Sequence, residues 1–451
     1  MEPSEGKTPG TSSPESVSTR LKRIAELAKK APEMAFTTLA HHIDIDFLRV
    51  AYSLTRKDGA PGVDGQTADS YEKDLEVNLR SLLERFKSGT YHAPPVKRVY
   101  IPKSDGSKTR PIGIPTFEDK VLQRAVAMIL EAVYEQDFLD CSYGFRPGRS
   151  AHQALEALRH GLMEMHGGTV LEVDIQNFFG SLDHGHLRGF LDRRIRDGVL
   201  RRAIDKWLKA GVLEEGAVHY PQSGSPQGGV VSPILSLIFL HEVQDRWFGD
   251  VVKPRLRGPA FLVRYADDSV MAFAREEDAK QVMEVLPKRF GRYGLTLHPT
   301  KTRLVHFRRP PRGGSGGQRP ESFDFLGFTH YWGKSLRGNG VVWKKTARSR
   351  FTRAVKTIRA WLSRNCHRPV DDQYVDLSRK VKGHYAYFGV VGNLRALSRF
   401  RNEVERVWRD WLGRRSQKAQ QCWSHFHHFL RRYPLPNPRV VHQIPVGVAN
   451  P

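Results

Sequence analysis

The sequence predicts an α+β fold in which an antiparallel sheet lies in the middle of the chain and an all-α region follows it. Apolar runs on both sides of Asp267-Asp268 predict a hairpin with two carboxylates at its tip. The β-branched run that begins at Thr169 and ends at Asp174 predicts a core strand. Beyond residue 340, apolar residues recur at helical spacing and predict amphipathic helices.

Composition indicates a protein that binds a polyanion. The chain has 451 residues and a net charge of +24, from 72 Lys+Arg against 48 Asp+Glu. An excess of this size favours nucleic acid as the partner. The three cysteines lie too far apart for a paired Cys-x-x-Cys zinc site, and we expect reduced thiols in a cytoplasmic protein. No apolar run approaches the ~20 residues of a membrane span, so we expect no membrane partner.

The N-terminal part is expected to change from a tail to helices. Residues 1–35 are expected to be disordered or weakly ordered, because their first half is rich in Ser, Pro, Thr, Glu and Gly. The spacing of apolar residues predicts helical structure within 21–58 and helices over 69–86, 121–138 and 151–165. Residues 104–107 predict the turn of a β-hairpin. The central sheet would then span 169–335, and 336–451 would be helical.

The adjacent acids Asp267 and Asp268 predict a metal site. Two carboxylates on one tight turn repel each other and raise each other's pKa, and a divalent cation removes this penalty. If Asp174 lies beside them in the same sheet, the three acids could hold the two metal ions of an in-line phosphoryl displacement. Taken alone, Asp267-Asp268 could equally be a solvated turn. Glu172 is excluded on the expectation that it points away from Asp174, and Asp183 is the nearest alternative acid.

Further motifs surround these acids in a fixed order. They are Gly59–Gly65, Arg110–Thr116, Ser142–Ser150, Gly224–Pro233, Gly294–Thr302 and Phe323–Phe328. With the Asp-Asp tip, they resemble reverse transcriptases of the group II intron type from about residue 50 to the C-terminus. One departure is Gly180, where many members of that family carry an acid.

The resemblance implies a right-hand polymerase fold. It assigns 1–35 to a tail, 36–168 to an N-terminal extension and fingers, and 169–335 to a palm with an antiparallel sheet. Residues 336–451 would form an α-helical thumb and maturase region, often called domain X. We expect no endonuclease domain, because no cysteine follows Cys422 to complete a zinc site.

The resemblance also implies a function. The protein would be an RNA-dependent DNA polymerase of a mobile group II intron, which copies intron RNA and assists its splicing. Its partners would be intron RNA, an RNA template, a DNA primer or target, and deoxynucleoside triphosphates. We expect a cytoplasmic, nucleoid-associated protein from a bacterium. One alternative is a free-standing group-II-like or retron-type enzyme in host defence. Another is a non-catalytic RNA-binding splicing factor, which the intact acid triad disfavours.

The resemblance assigns roles at the active site. Asp174, Asp267 and Asp268 would be catalytic and, with the backbone carbonyl of Ile175, would bind two Mg²⁺ ions. The incoming nucleotide would meet the following residues: Lys103, Arg110, Phe179, Gln227 and Lys301. Lys108 is an alternative to Lys103 in the same turn. Phe179 would exclude a 2′-hydroxyl as a steric gate, although it could also be core. The primer and template would meet Tyr265, Phe325, Leu326 and Gly327.

Basic residues decorate the C-terminal helices outside their apolar stripes. The stripes run over 351–362 and 400–411, and a basic, aromatic stretch lies between them at 380–389. Successive basic helices predict a surface that follows folded or duplex RNA, although a charged face is often only solvated. The RNA-binding residues that we single out are Arg353, Lys356, Arg406 and Arg409.

Overall fold

The computed structural model describes residues 16–102, 109–214, 216–220, 223–224, 228–310, 320–335, 337–415 and 423–442. Helices and antiparallel sheets alternate along this chain, which confirms the predicted α+β class. No helix among these residues is long and apolar enough to cross a bilayer.

The N-terminal part is helical from residue 17 onward. Its helices are α1 (Val17–Lys30), α2 (Ile45–Leu54), α3 (Ala68–Glu72) and α4 (Leu75–Ser88). The expectation of weak order over 1–35 is wrong for α1, because Ser16 caps this helix and Ile24 and Ala28 are buried in the core. The helix expected over 69–86 is divided in two, because Asp74 adopts a non-helical backbone conformation. Residues 1–15 lie outside the described residues.

Arg194 ties α1 to the rest of the molecule. Its buried guanidinium pairs with Asp137 at 2.9 Å. The same group donates hydrogen bonds to backbone carbonyls at the end of α1 and just after it, namely those of Ala28, Ala31, Pro32 and Met34. These carbonyls have no further helical partner, so a buried cation satisfies them.

A four-stranded sheet follows α4. Strands β1 (Val96–Pro102) and β2 (Thr109–Ile114) form the predicted antiparallel hairpin, whose turn lies outside the described residues. On its other edge β1 pairs in parallel with β4 (Val212–Glu214), which pairs with β5 (Ala217–His219). The predicted helices appear as α5 (Phe117–Tyr134) and α6 (Ala151–Glu164), and α5 begins early because Thr116 caps it.

The central sheet has the strand order β6-β7-β3-β8 and is antiparallel throughout. Its strands are β3 (Gly167–Val173), β6 (Ala260–Tyr265), β7 (Asp268–Phe273) and β8 (Arg303–Arg308). Helices α7 (His184–Leu191), α8 (Gly198–Lys209), α9 (Ser232–Leu240) and α10 (Glu276–Gly291) contribute to the largest core. Helix α9 continues into π-helical turns at His241–Asp245 and Trp247–Val252.

A small sheet and a helical region complete the chain. The sheet contains β9 (Phe323–Phe325), β10 (Phe328–Lys334) and β11 (Gly340–Thr346). The expected boundary at 336 is therefore wrong: β11 continues the sheet, and helix-only structure begins at Arg348. The helices that follow are α11 (Arg348–Asn365), α12 (Val370–Phe388), α13 (Leu394–Leu412) and α14 (Trp423–Arg432), which share a separate hydrophobic core.

Candidate active site

The Asp-Asp hairpin has the predicted position and an unusual backbone. Tyr265 pairs with Asp268, so Ala266 and Asp267 form a two-residue turn between β6 and β7. Ala266 has a φ of 57°, a left-handed conformation that an alanine adopts only under constraint. The constraint is visible on the outer side of the turn, because a Cβ added to Gly144 would lie 2.3 Å from the backbone nitrogen of Ala266.

The third acid lies directly across the sheet from this turn. Val173 pairs with Ser269 in the antiparallel register of β3 and β7. The next residues along each strand, Asp174 and Asp268, therefore lie opposite each other at the same end of the sheet. Lys301 approaches from the neighbouring segment, and its Nζ is 3.0 Å from Asp174 Oδ2.

Burial and neighbouring carboxylates raise the pKa of Asp267 and Asp268. The pKa of Asp267 is raised, first because the surrounding protein removes water and then because Asp174 is near, while Arg110 and Arg264 oppose the shift. The pKa of Asp268 is raised to about 6 by the same desolvation and by repulsion from Asp267 and Asp174. Because Asp268 still reaches water in the open cleft, solvent screens part of this effect. The cluster thus carries negative charge that its cations do not fully balance.

The donor atoms suit a hard divalent cation. Within the described residues, neither Asp267 nor Asp268 forms an ion pair, and no donor bonds the Ile175 carbonyl. The oxygens of these groups are the ligands that Mg²⁺ prefers. As they stand, no three acids, histidines or cysteines in the described ranges are grouped closely enough to enclose an ion. Lys301 instead forms an ion pair with one carboxylate oxygen of Asp174.

Glu172 lies in the same cleft, contrary to the expectation that it points away from Asp174. Residues two apart on a strand point to the same side, so Glu172 and Asp174 share a face, and both line the cleft. Its Oε2 is 2.5 Å from Arg303 Nε, which supplies a partner in place of a metal. Asp183 has a structural task, because its carboxylate accepts a hydrogen bond from the His186 backbone N–H and caps α7.

Comparison with known proteins identifies the family. The model of the reverse transcriptase (RNA-dependent DNA polymerase) family matches residues 101–330, half of the chain. The chain belongs to this family. Its relatives include a group II intron-encoded protein and an intron maturase.

Three relatives illustrate this placement. The chain is 36% identical over 285 residues to the group II intron-encoded protein LtrA of Lactococcus lactis, covering 60% of this chain and 46% of LtrA. It is 35% identical over 282 residues to protein YkfC of Escherichia coli, covering 54% of this chain and 72% of YkfC. It is 46% identical over 176 residues to the mitochondrial nuclear intron maturase 2 of Arabidopsis thaliana, covering 30% of this chain and 24% of the maturase. The matched region spans about half the length of LtrA.

The predicted nucleotide-binding residues of this reverse transcriptase occupy different settings. Lys103 and Gln227 lie outside the described residues. Arg110 is exposed on β2 and lies near enough to Asp267 to lower its pKa. Phe178 is buried, whereas Phe179 is only half-buried, with its ring centroid 5.4 Å from that of Phe178. Phe179 thus has an accessible surface, as a gate would require.

The predicted primer and template residues lie between the cleft and the core. Phe325 is buried in the core but also lines the cleft. Leu326 and Gly327 form the turn between β9 and β10 with φ values of 48° and 81°. Tyr387 Oη donates a hydrogen bond to the Leu326 carbonyl at 2.8 Å. Tyr265 is half-buried beside the same core. The contacts of these residues with primer and template therefore stay a prediction.

The four predicted RNA-binding side chains are unequally available. Lys356 is exposed on α11, and Arg353 is half-buried on the same helix. Arg406 is exposed but lies 2.7 Å from Glu403. The Arg409 guanidinium lies 3.8 Å from the centroid of the Trp423 ring, so this residue also joins α13 to α14.

Gly144 offers a test of how the turn is held. We expect Gly144→Ala to reduce catalytic activity by at least about tenfold, because the new methyl group would displace Ala266 and the two aspartates with it. Gly189→Ala is the matched control, since nothing lies within 4 Å of a Cβ at that helical position. Primer extension and thermal melting of both variants provide the measurement. Equal activity of the two variants would contradict the close approach.

Proposed function

We propose that the protein is the RNA-dependent DNA polymerase and maturase of a mobile group II intron. The observation that carries this proposal is the convergence of Asp174, Asp267 and Asp268 at one end of the central sheet in a reverse transcriptase. The substrates would be deoxynucleoside triphosphates, an RNA template and a DNA primer or target. The intron RNA would be both template and splicing partner. Among the relatives, LtrA is named as encoded by a group II intron.

In this proposal the sheets and helices take the parts of a right-hand polymerase. The β1–β2 hairpin belongs to the fingers, the sheet β6-β7-β3-β8 to the palm, and helices α11–α14 to the thumb and maturase region. The N-terminal helices would form the extension that precedes the fingers. The cleft beside Asp174 and Asp268 is also lined by Arg350 of α11, so the first thumb helix borders the acids.

The acids and the Ile175 carbonyl would hold two Mg²⁺ ions. When bound, the ions lower the pKa of the primer 3′-hydroxyl and stabilise charge on the departing pyrophosphate. Lys301 holds Asp174 in position by an ion pair at 3.0 Å. When Asp174 binds a metal ion, the Lys301 ammonium group would instead pair with the phosphates of the nucleotide. Arg110 extends positive charge to the same end of the sheet. Lys103 and Gln227 remain proposed nucleotide contacts from the fingers and the Gly224–Pro233 segment.

Two alternatives remain distinct proposals. A free-standing or retron-type enzyme in host defence would share the polymerase site, and only gene context separates it from an intron enzyme. A splicing factor without catalysis would share the basic helices but would not extend a primer. The three acids and their mutual repulsion favour the enzyme, because this arrangement costs stability that a binding protein has no need to retain.

Primer extension on an RNA template, with and without Mg²⁺, tests the proposal. We expect Asp267→Asn to reduce DNA synthesis by more than about a thousandfold while RNA affinity is unchanged, because the charge serves the chemistry and not RNA binding. The control is Asp324→Asn, which removes an acid from the wall of the same cleft. Wild-type protein that fails to extend a primer, or Asp267→Asn that extends it within a few-fold of wild type, would contradict the proposal.

Phe179 offers a test of sugar selection. We expect Phe179→Val to raise ribonucleotide incorporation relative to deoxynucleotide incorporation by at least about tenfold, because the smaller side chain leaves room for a 2′-hydroxyl. Phe178→Leu is the comparison, since a change at this buried neighbour should lower stability but leave the preference intact. Competition between the two nucleotide types provides the measurement. An unchanged preference in Phe179→Val would assign Phe179 to the core.

The basic C-terminal surface offers a test of RNA binding. Replacing Arg353, Lys356, Arg406 and Arg409 with Gln should weaken intron RNA affinity and splicing more than extension of an annealed short primer. Each lost phosphate contact should make the salt dependence of the affinity shallower by about 0.7 to 0.9 in log–log slope.

A matched control separates local contacts from net charge. Replacing Arg49, Arg56, Arg193 and Lys280, which all lie outside the C-terminal helices, removes the same charge. Arg409→Gln alone shows how much stability is lost with the Trp423 contact. If the two quadruple variants have the same affinity and salt slope, the C-terminal surface is only solvated.

A further inference from the structure

Arg264 is a fully buried charge beneath the Asp-Asp turn. It lies on β6, two residues before Ala266, and its side chain is 0% exposed. Its Nε donates a hydrogen bond to Asp245 Oδ1 at 2.7 Å, and a terminal nitrogen pairs with Asp245 Oδ2. Asp245 is equally buried. The guanidinium and the carboxylate thus face each other in a bidentate pair that is shielded from water.

The remaining donors of Arg264 reach the turn and a neighbouring loop. One terminal nitrogen donates to the carbonyl of Ala266 at 3.0 Å, and the other donates to Ser142 Oγ at 2.8 Å. The bond to Ala266 is important because this residue has the left-handed conformation that places the aspartates. Every nitrogen of the guanidinium is therefore engaged, and one of them holds the turn itself.

The π-helical turn after α9 supplies a second contact. Gln244, next to Asp245, donates from Nε2 to Ser269 Oγ at 2.6 Å, and both side chains are buried. Ser269 follows Asp268 on β7, whereas Arg264 precedes the turn on β6. Two consecutive residues of one π-helical turn therefore contact both strands of the hairpin. Such turns occur often at functional sites.

The segment around Ser142 holds the hairpin from the other side. The Tyr143 backbone N–H donates to the Arg264 carbonyl at 2.8 Å, and the Arg264 N–H donates to the Cys141 carbonyl at the same distance. This segment runs parallel to β6 and leads to Gly144, whose backbone lies against Ala266. A buried ion pair is a weak source of stability, because desolvation opposes its attraction. The role of the Arg264–Asp245 pair is therefore better explained by the fixed geometry that it gives the turn than by stability.

We propose that Arg264, together with Asp245 and Ser142, is a positioning group that sets the Ala266–Asp267 turn and thereby the affinity of Asp267 and Asp268 for a divalent cation. This inference rests on the proposed polymerase function for its biological meaning, but cation binding can be measured without any reaction. Arg264 touches neither substrate nor metal in this role. Partners that orient ligands typically change metal affinity or activity by about 10–100-fold when they are removed.

The experiment compares Arg264→Lys and Ser142→Ala with a second buried pair, Arg194 and Asp137, in which the arginine bonds carbonyls at the end of α1 and not those of the turn. Arg264→Lys keeps the charge but loses the fork, and Ser142→Ala removes a single acceptor. Arg194→Lys is the matched control, because Arg194 is also buried, also pairs with an aspartate and also bonds backbone carbonyls. Asp267→Asn removes one of the proposed ligands, so the Mn²⁺ binding that is lost in this variant is the binding at the proposed site. Mn²⁺ binding to the full-length protein by electron paramagnetic resonance, thermal melting and the Mg²⁺ dependence of single-nucleotide extension are measured for each protein.

We expect the half-saturating cation concentration to rise about tenfold in Arg264→Lys and at least about threefold in Ser142→Ala. Arg194→Lys should lower the melting temperature and leave cation binding unchanged. If Arg264→Lys does not fold, Ser142→Ala decides the matter. Wild-type cation affinity in Ser142→Ala, an equal loss in Arg194→Lys, or no site-specific Mn²⁺ binding by the wild type would overturn the proposal. The two proposals can fail separately. If the variants lose Mn²⁺ affinity but the wild-type protein does not extend a primer, the positioning role is supported and the polymerase function is refuted.

Discussion

The pairing of β3 with β7 is the constraint on which the active site depends. Each strand carries an acid at the end of the sheet, and the antiparallel register determines whether the two acids face the same cleft. A slip of one residue would turn Asp174 to the opposite side of the sheet and bury it among the apolar residues of the largest core. The register is fixed by burial on both faces, because neighbouring residues of β3 belong alternately to two separate cores.

Bringing acids together requires cations at a suitable distance. Lys301 holds Asp174 directly, whereas Arg110 and Arg350 act on Asp267 and Asp268 only through longer-range attraction. The cluster therefore keeps negative charge at the end of the sheet where we propose that metal ions bind. The first helix of the C-terminal region contributes Arg350 to this balance, so the helices proposed to bind RNA are electrostatically linked to the sheet that carries the acids.

Much of this arrangement could be predicted from local sequence, and the errors have physical causes. The hairpin at 265–268 and the strand before Asp174 follow from patterns of apolar residues that extend over only a few positions. The weak order expected for 1–35 was wrong because α1 is stabilised by Arg194, more than 160 residues away. The boundary at 336 was wrong because β11 needs β10 as its partner, which no local pattern reports. The expectation that Glu172 points away from Asp174 was wrong because residues two apart on a strand share a face.

The sequence indicates that Arg264 needs a partner, but it does not identify that partner. A single arginine in the apolar run before Tyr265 must be either exposed or paired, because an unpaired buried charge is not tolerated. Its partner, Asp245, lies in a π-helical turn where the usual helical period no longer predicts which residues face the core. Ser142 lies still farther away in the chain, within a motif whose glycine contacts the turn. Two separate segments thus converge on one hairpin. The residues that shape an active site can therefore be recognised only when a buried charge is followed through the folded structure to all of its partners.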